Sequence, residues 1–495
     1  MSPLRSLLGQ TAVYGVSSIV GRVMNFFVLT PFYTRIFTRG EYGVVTELYA
    51  YVAFLLVILT YGMETAFFRF ASKAEEQRER MIIFSTAAIS ILTTSSLFLL
   101  FVITGQNSIS EVLGYSSRPE FIVLFGWIIA IDTLVTIPFA RLRLEGKAFQ
   151  FAGINLLSIA VNIGLNLFFF LYCPNALENG NSFVTEFYKP EFGIGYVFVA
   201  NLGGSVTKLI FLLPTLVGIR FGFSFRLFKT LLPYSLPLLF LGLAGIVNET
   251  FDRAAFEWLS GLPTEEAESE LGIYGACYKV AMLLSIGIQA YRFAAEPFIF
   301  SLAKNERTEK IQGDVMKYYF IIALGISMAI ICFDDIALLL IGERFREGAG
   351  VIPILLGAYI CFGAVFNLSF WYKLNDKTLF GAFIAFIGAI TTISLNVWLV
   401  PKIGYHGSAW ATLAAYLVMM VVSYLLMRRF HPIKYELGPI FIYITLATFL
   451  TFLYTFIAPE SSLKYLFAAL VLLVFGGFVI IREKKQLKKY LHGKS

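Results

Sequence analysis

Residues 82–104 read IIFSTAAISILTTSSLFLLFVIT. No charge interrupts the run, and as a helix it is long enough to cross a hydrocarbon core about 30 Å thick. A membrane-spanning strand would need only about ten residues and would alternate apolar with polar ones, which this run does not do. It therefore reads as a transmembrane helix. Comparable runs occupy about 9–34, 44–70, 119–140, 149–172, 193–219, 228–250, 271–300, 315–333, 350–372, 378–400, 406–427, 437–457 and 463–481, giving about fourteen spans in all. Composition agrees: only 14% of the 495 residues are charged, against roughly a quarter in soluble chains. The segments between spans are short and leave no room for a soluble catalytic domain. The expected fold is an all-α polytopic membrane protein.

The net charge is +7. A nucleic-acid partner would need that charge on a polar domain, and the sequence has none. The basic residues instead cluster in alternate loops: Lys73, Arg78 and Arg80; Arg141, Arg143 and Lys147; Arg220, Arg226 and Lys229; Lys304, Arg307, Lys310 and Lys317; Lys373 and Lys377; Arg428, Arg429 and Lys434; then Lys484, Lys485, Lys488 and Lys489 in the tail. The other side holds far fewer, among them Arg35, Arg118, Lys189 and Lys464. Positively charged loops stay cytoplasmic, so both termini are expected inside, and the tail lysines face anionic lipid. The first run is too long for a signal-peptide core and should remain as a helix.

Several chemistries lack their signatures. Cys173, Cys277, Cys332 and Cys361 are scattered, and His406, His431 and His492 sit at helix ends or in the tail, so neither a metal site nor a cofactor is expected. Gly146-Lys147 lacks the upstream glycine of a phosphate loop. Asp334-Asp335 offers a paired-acid metal site to a membrane glycosyltransferase, or simply ends a helix.

The chain repeats itself. Glu41-Tyr42-Gly43-Val44 with Tyr49 parallels Glu270-Leu271-Gly272-Ile273 with Tyr278. Arg143-Leu144 with Lys147 parallels Lys373-Leu374 with Lys377, and Leu165-Asn166 parallels Leu395-Asn396. These matches pair spans 1–6 with spans 7–12. An even number of spans makes the repeat parallel, with two six-helix lobes (1–222 and 223–434) facing one another and the substrate path between them. Residues 435–495 then add two helices and a basic cytoplasmic tail.

Ionisable residues at membrane depth are costly and mark cavities or partners. Arg22, with Asn25 a turn later, lies in the first span, Lys208 in the sixth and Lys279 in the eighth. None has an opposite charge within one turn. Together they suit a cationic cavity for an anionic group such as a diphosphate, arginine being the natural fork for phosphate. The alternative is cross-helix ion pairing with Asp132, Glu47 or Glu249. Glu249–Arg253 and Arg292–Glu296 each stand four apart, as local ion pairs do. Glu64 and Arg69, near the inner surface, reach water or form a cytoplasmic gate. Pro233 and Pro237 in the seventh span kink a gate or are merely tolerated.

The stretch Pro31-Phe32-Tyr33-Thr34-Arg35-Ile36-Phe37-Thr38-Arg39-Gly40-Glu41-Tyr42-Gly43 resembles the opening of bacterial polysaccharide-export flippases. Glu64-Thr65-Ala66-Phe67-Phe68-Arg69-Phe70 and Arg141-Leu142-Arg143-Leu144-Glu145-Gly146-Lys147 resemble their later segments, as does Gly272-Ile273-Tyr274. These flippases belong to the multidrug/oligosaccharidyl-lipid/polysaccharide exporter superfamily. The resemblance implies a monomeric secondary transporter of the bacterial inner membrane. It implies movement of an undecaprenyl-diphosphate-linked oligosaccharide to the periplasmic leaflet by alternating access, beside a polysaccharide polymerase and glycosyltransferases. On that reading Arg22, Asn25, Lys208 and Lys279 bind substrate. Glu47, Asp132, Asn248, Glu249, Asp252 and Arg253 couple or gate, with Na⁺ or H⁺ as the driving ion. The related lipid II flippases carry an Arg-Asp pair late in the first span, where Thr34-Arg35 stands here. Lipid II, multidrug extrusion and a membrane glycosyltransferase or polymerase remain the alternatives.

Overall fold

A computed structural model describes residues 19–21, 23–216, 222–301, 308–375, 377–457 and 463–491. Among them, 13 helices are long and apolar enough to cross a membrane. Residues 9–18 and 22 of the expected first span, 9–34, lie outside the described residues. Its end is a π-helical turn, Asn25–Leu29, running into α1 (Thr30–Ile36).

Local chemistry fixes where the helices begin and break. Thr38 caps α2 (Arg39–Thr60): its hydroxyl accepts from the Glu41 N–H, and the Glu41 carboxylate accepts from the Thr38 N–H at 2.8 Å. Two otherwise orphaned donors are thereby satisfied. The expected span 44–70 is not continuous. It breaks at Tyr61 (φ 33°) and Gly62 (φ 71°) before α3 (Met63–Ala71). A Cβ on Gly62 would stand 2.6 Å from the Ser235 carbonyl oxygen, so close helix approach and left-handed backbone both require glycine there. After α4 (Gln77–Val112), the next span divides at Val135 into α5 (Pro119–Leu134) and α6 (Thr136–Leu144). Pro138 supplies no N–H to the Leu134 carbonyl, which accounts for the break. α7 (Ala148–Leu167) ends in a second π-helical turn, Phe168–Tyr172, just before Pro174. α8 is Gly195–Leu216 and α9 is Phe225–Ala254, which stays helical through Pro233 and Pro237. α10 runs Thr264–Ser301, α11 Thr308–Cys332, α12 Ile352–Leu374, α13 Leu379–Ile403 and α14 Tyr405–Phe430. α15 (Leu437–Ile457) and α16 (Leu463–Leu491) close the chain.

The chain forms two compact units, Met1–Gly272 and Ile273–Ser495, divided within α10. The lobe limits 1–222 and 223–434 express repeat register, which this packing division does not test. In the first unit α2 packs on α9, α4 on α5, and α8 on both α7 and α5. In the second, α14 packs on α12 and α13, while α15 and α16 pack on α11. A buried charge cluster fastens that last contact. Lys317, 1% exposed, lies 2.7 Å from Glu436 and 2.9 Å from Glu483, and the Tyr443 hydroxyl donates to Glu483.

At the end of the first unit α2 meets the start of α10 backbone to backbone. A Cβ on Gly43 would lie 1.9 Å from the Glu268 carbonyl oxygen, and one on Gly272 would lie 2.0 Å from the Arg39 carbonyl oxygen. The two contacts are reciprocal: Gly43 and Arg39 precede Gly272 and Glu268 by the same 229 residues that separate Glu41-Tyr42-Gly43-Val44 from Glu270-Leu271-Gly272-Ile273. Only a residue without a side chain permits this approach.

Gly43→Ala should therefore lower the thermal unfolding midpoint by several degrees, overpacking costing about 1–3 kcal/mol even where neighbours can yield. Gly245→Ala, with nothing within 4 Å of its Cβ, should leave the midpoint unchanged or raise it slightly. The comparison is made on the purified proteins in the same detergent.

Candidate functional site: a charged cavity in the first unit

Six helices of the first unit line an open cavity of about 460 Å³. Leu56, Val57 and Thr60 come from α2, and Glu64 from α3. Asp132, Thr136, Phe139 and Arg143 come from the broken α5–α6 span, Phe151 and Asn155 from α7, and Lys208 from α8. The walls are mixed: apolar side chains, three neutral polar ones, two cations and two carboxylates.

The charges are paired across helices. The Lys208 ammonium donates to Asp132 at 2.9 Å, with the two side chains 25% and 20% exposed. Lys208 is thus not the unpaired cation that its own helix suggests. Its partner sits in a different span, where sequence spacing cannot reveal it. Arg143 donates to Glu64, and its guanidinium also lies 5.0 Å from the Phe68 ring centre. Beside the cavity mouth Arg141 donates to Glu145 at 2.6 Å and to the Thr215 carbonyl. Burial pushes the Glu145 carboxyl upward, but hydrogen bonds from Lys147 and Arg141 outweigh it and hold the group below its usual range.

The remaining sequence candidates fall elsewhere. Arg22 lies outside the described residues, and Asn25 opens the π-helical turn of the first span. Glu47 is buried (1% exposed) and accepts from the Tyr51 and Tyr115 hydroxyls at 2.6 and 2.5 Å. Near it, burial raises the Glu257 carboxyl above its usual range. Arg69 lies over the Tyr234 ring at 4.3 Å. On α9, Asn248 and Asp252 are buried and Glu249 is exposed. Arg253 donates to the Glu249 carbonyl, and its guanidinium is 4.0 Å from Asp252. In the second unit Lys279 is half-buried and is not without an interaction partner. Glu296 pairs with Lys373 at 2.9 Å, whereas Arg292 lies over the Phe366 ring at 4.5 Å. Asp335 pairs with Lys464, and the Asp334 carboxylate accepts from the Asp335 N–H at the start of a short helix. Among the described residues no group of three His, Cys, Asp or Glu side chains could hold a metal ion.

Arg143 was legible only as a topology signal, although Asp132, Thr136, Phe139 and Arg143 recur at helical spacing along one face. Lys317 reads as a loop charge, and nothing in its spacing points to Glu436 or Glu483.

An all-helical, multi-pass chain with charged side chains around an intramembrane cavity has the form of a membrane transporter. Compared by sequence, residues 7–303 match the family described as polysaccharide biosynthesis protein, and the chain belongs to that family. Its fold is similar to the lipid II flippase MurJ in its inward closed conformation, with a TM-score of 0.71 and 13% identity, over 96% of this chain and 99% of that one. It is also similar to a multidrug resistance MATE family transporter in its inward-facing conformation, with a TM-score of 0.66 and 14% identity, over 82% of this chain and 94% of that one. Another MATE structure, in the straight conformation, matches at TM-score 0.58 and 14% identity, covering 87% of this chain and 96% of that one. None of the curated proteins matches by sequence. The fold of this family member is thus one shared with a lipid II flippase and with MATE transporters.

Asp132→Ala leaves the Lys208 ammonium without its carboxylate. The expected loss is on the order of 2 kcal/mol, less than for a fully buried pair because both groups keep some exposure. Adding Lys208→Met should recover most of it. Thermal midpoints of the two single variants and the double variant check this; equal losses that simply add would mean that the pair is not coupled.

Proposed function

We propose that this protein is a flippase that carries an undecaprenyl-diphosphate-linked oligosaccharide from the cytoplasmic to the periplasmic leaflet of a bacterial inner membrane by alternating access. The observation that carries the reading is the polysaccharide-biosynthesis family match over residues 7–303. The cavity is consistent with it. A diphosphate competes with Asp132 and Glu64 for Lys208 and Arg143, while Thr60, Thr136 and Asn155 offer neutral hydrogen bonds to sugar hydroxyls. The polyprenyl chain stays in lipid. Arg22 and Lys279 supply further cations along the path, and Asn248, Glu249 and Asp252 hold the driving Na⁺ or H⁺. The protein acts as a carrier rather than a catalyst and hands its cargo from glycosyltransferases to a polymerase.

The same two carboxylates give a second reading its support. Asp132 and Glu64 would hold a cationic drug as readily as Lys208 and Arg143 hold an anion, so multidrug extrusion is the rival function. Lipid II is the rival cargo within the flippase reading.

Reconstituted into proteoliposomes, the protein should translocate a fluorescent undecaprenyl-diphosphate oligosaccharide faster than lipid II and should not extrude a cationic dye. Arg22→Ala and Lys208→Ala should each slow translocation at least tenfold. Dye extrusion without lipid movement would overturn the proposal, and preference for lipid II would reassign the cargo.

A further inference from the structure

The connection between α7 and α8 has two apolar faces. One is internal: Cys173, Ala176, Val184 and Tyr188 are buried against Phe169 and Tyr196. The short helix Ser182–Phe187 starts where the Asn181 side chain accepts from the Phe183 N–H, and the Lys189 N–H donates to the Tyr196 hydroxyl oxygen at 2.7 Å. These bonds fold the segment back onto α8. The other face is uncovered. Phe183 is 68% exposed, Tyr172 51% and Phe187 39%. They form a ladder through Phe168: Tyr172 stacks on Phe168 at 5.3 Å, Phe168 on Phe187 at 6.2 Å, and Phe187 meets Phe183 edge-on at 5.3 Å.

What covers this ladder follows from what it continues. Along α7 the exposed positions Leu157, Ala160, Gly164, Leu167 and Leu171 recur every three or four residues, the stripe of a helix side that faces acyl chains. The stripe ends at the ladder. Beyond it the exposed residues turn polar: Asn175, Glu178, Asn179, Asn181, Ser182 and Glu186. Aromatic rings placed where an acyl-facing stripe gives way to polar residues sit at headgroup level.

We propose that Tyr172, Phe183 and Phe187 form an interfacial anchor that inserts among the phospholipid headgroups of the leaflet opposite the basic loop 141–147 at the other end of α7, and so fixes the depth of the α7–α8 hairpin. That hairpin carries Asn155 and Lys208 into the cavity. From Gly195 to Lys208 the rise along α8 is about 20 Å, and from Leu171 back to Leu157 along α7 it is also about 20 Å. Anchored at one interface, the hairpin holds the charged cavity in the half of the bilayer nearer the basic loops. The inference does not rest on the cargo proposed above.

The test uses the full-length protein with Cys361→Ala, since the other three cysteines are buried. Spin labels are attached singly at Phe183→Cys, Leu157→Cys and Glu178→Cys, in nanodiscs of phosphatidylethanolamine and phosphatidylglycerol. Depth is read from the ratio of collisions with oxygen and with a water-soluble nickel chelate. The label at 183 should lie within about 5–10 Å of the headgroup–acyl boundary. The label at 157 should lie up to about 20 Å deeper, and that at 178 in water. A label at 183 as open to nickel as that at 178, or one as deep as that at 157, would overturn the proposal. As a check against perturbation by the label, Phe183→Ser/Phe187→Ser should lower the thermal midpoint in nanodiscs, whereas Phe183→Trp/Phe187→Trp should not. An unchanged midpoint for the serine pair would also count against the anchor.

Discussion

An ammonium or carboxylate carried into a membrane loses the water that solvates it, and the loss is offset only by a partner within the protein. Three buried or half-buried charged side chains have found partners. Lys208 meets Asp132, joining α8 to α5. Lys317 meets Glu436 and Glu483, joining α11 to the loop before α15 and to α16. Glu47 has two phenol donors, Tyr51 and Tyr115. These contacts add a polar tie between helices that also pack together, where helix surfaces in lipid gain little from hydrophobic burial. They also decide what the cavity can do. Its two cations are already neutralised, so an anionic ligand must exchange with a carboxylate rather than fill an empty positive site.

A second constraint is steric. α2 and α10 touch through Gly43 and Gly272, each against the other helix's backbone carbonyl. Such a reciprocal pattern is what a parallel repeat would produce where two copies of one helix cross. Contacts of this kind involve backbone alone. The Lys317 cluster has the opposite character: three charges, two of them almost fully enclosed, would be costly to separate.

The membrane architecture was legible in the sequence because uninterrupted apolar runs have one stable solution in lipid. Residues 82–104 lie wholly within α4, and most other spans were placed to within a few residues. Interruptions were harder. Tyr61-Gly62 sits inside an apolar run whose hydropathy gives no sign of a left-handed turn, and the requirement for it comes from α9 pressing on Gly62. Charge pairing was less legible still. Intrahelical spacing suggested that Lys208 stood alone and that Glu296 belonged with Arg292, but side chains choose partners across space, and Asp132 and Lys373 were nearer. Arg143 looked like a topology marker because loop charge and cavity charge have the same composition and differ only in where the helix points them.

The central claim is that a charge-neutral cavity, by exchanging its ion pairs, holds the diphosphate of a lipid-linked glycan. Native mass spectrometry of the protein purified from bacterial membranes tests it most directly. The account predicts a bound species with the mass of a polyprenyl-diphosphate glycan, retained by the wild type, lost in Lys208→Ala, and held more tightly in Asp132→Asn, where the competing carboxylate is gone. Phospholipid adducts alone, or a glycan-lipid adduct equally abundant in all three proteins, would contradict it.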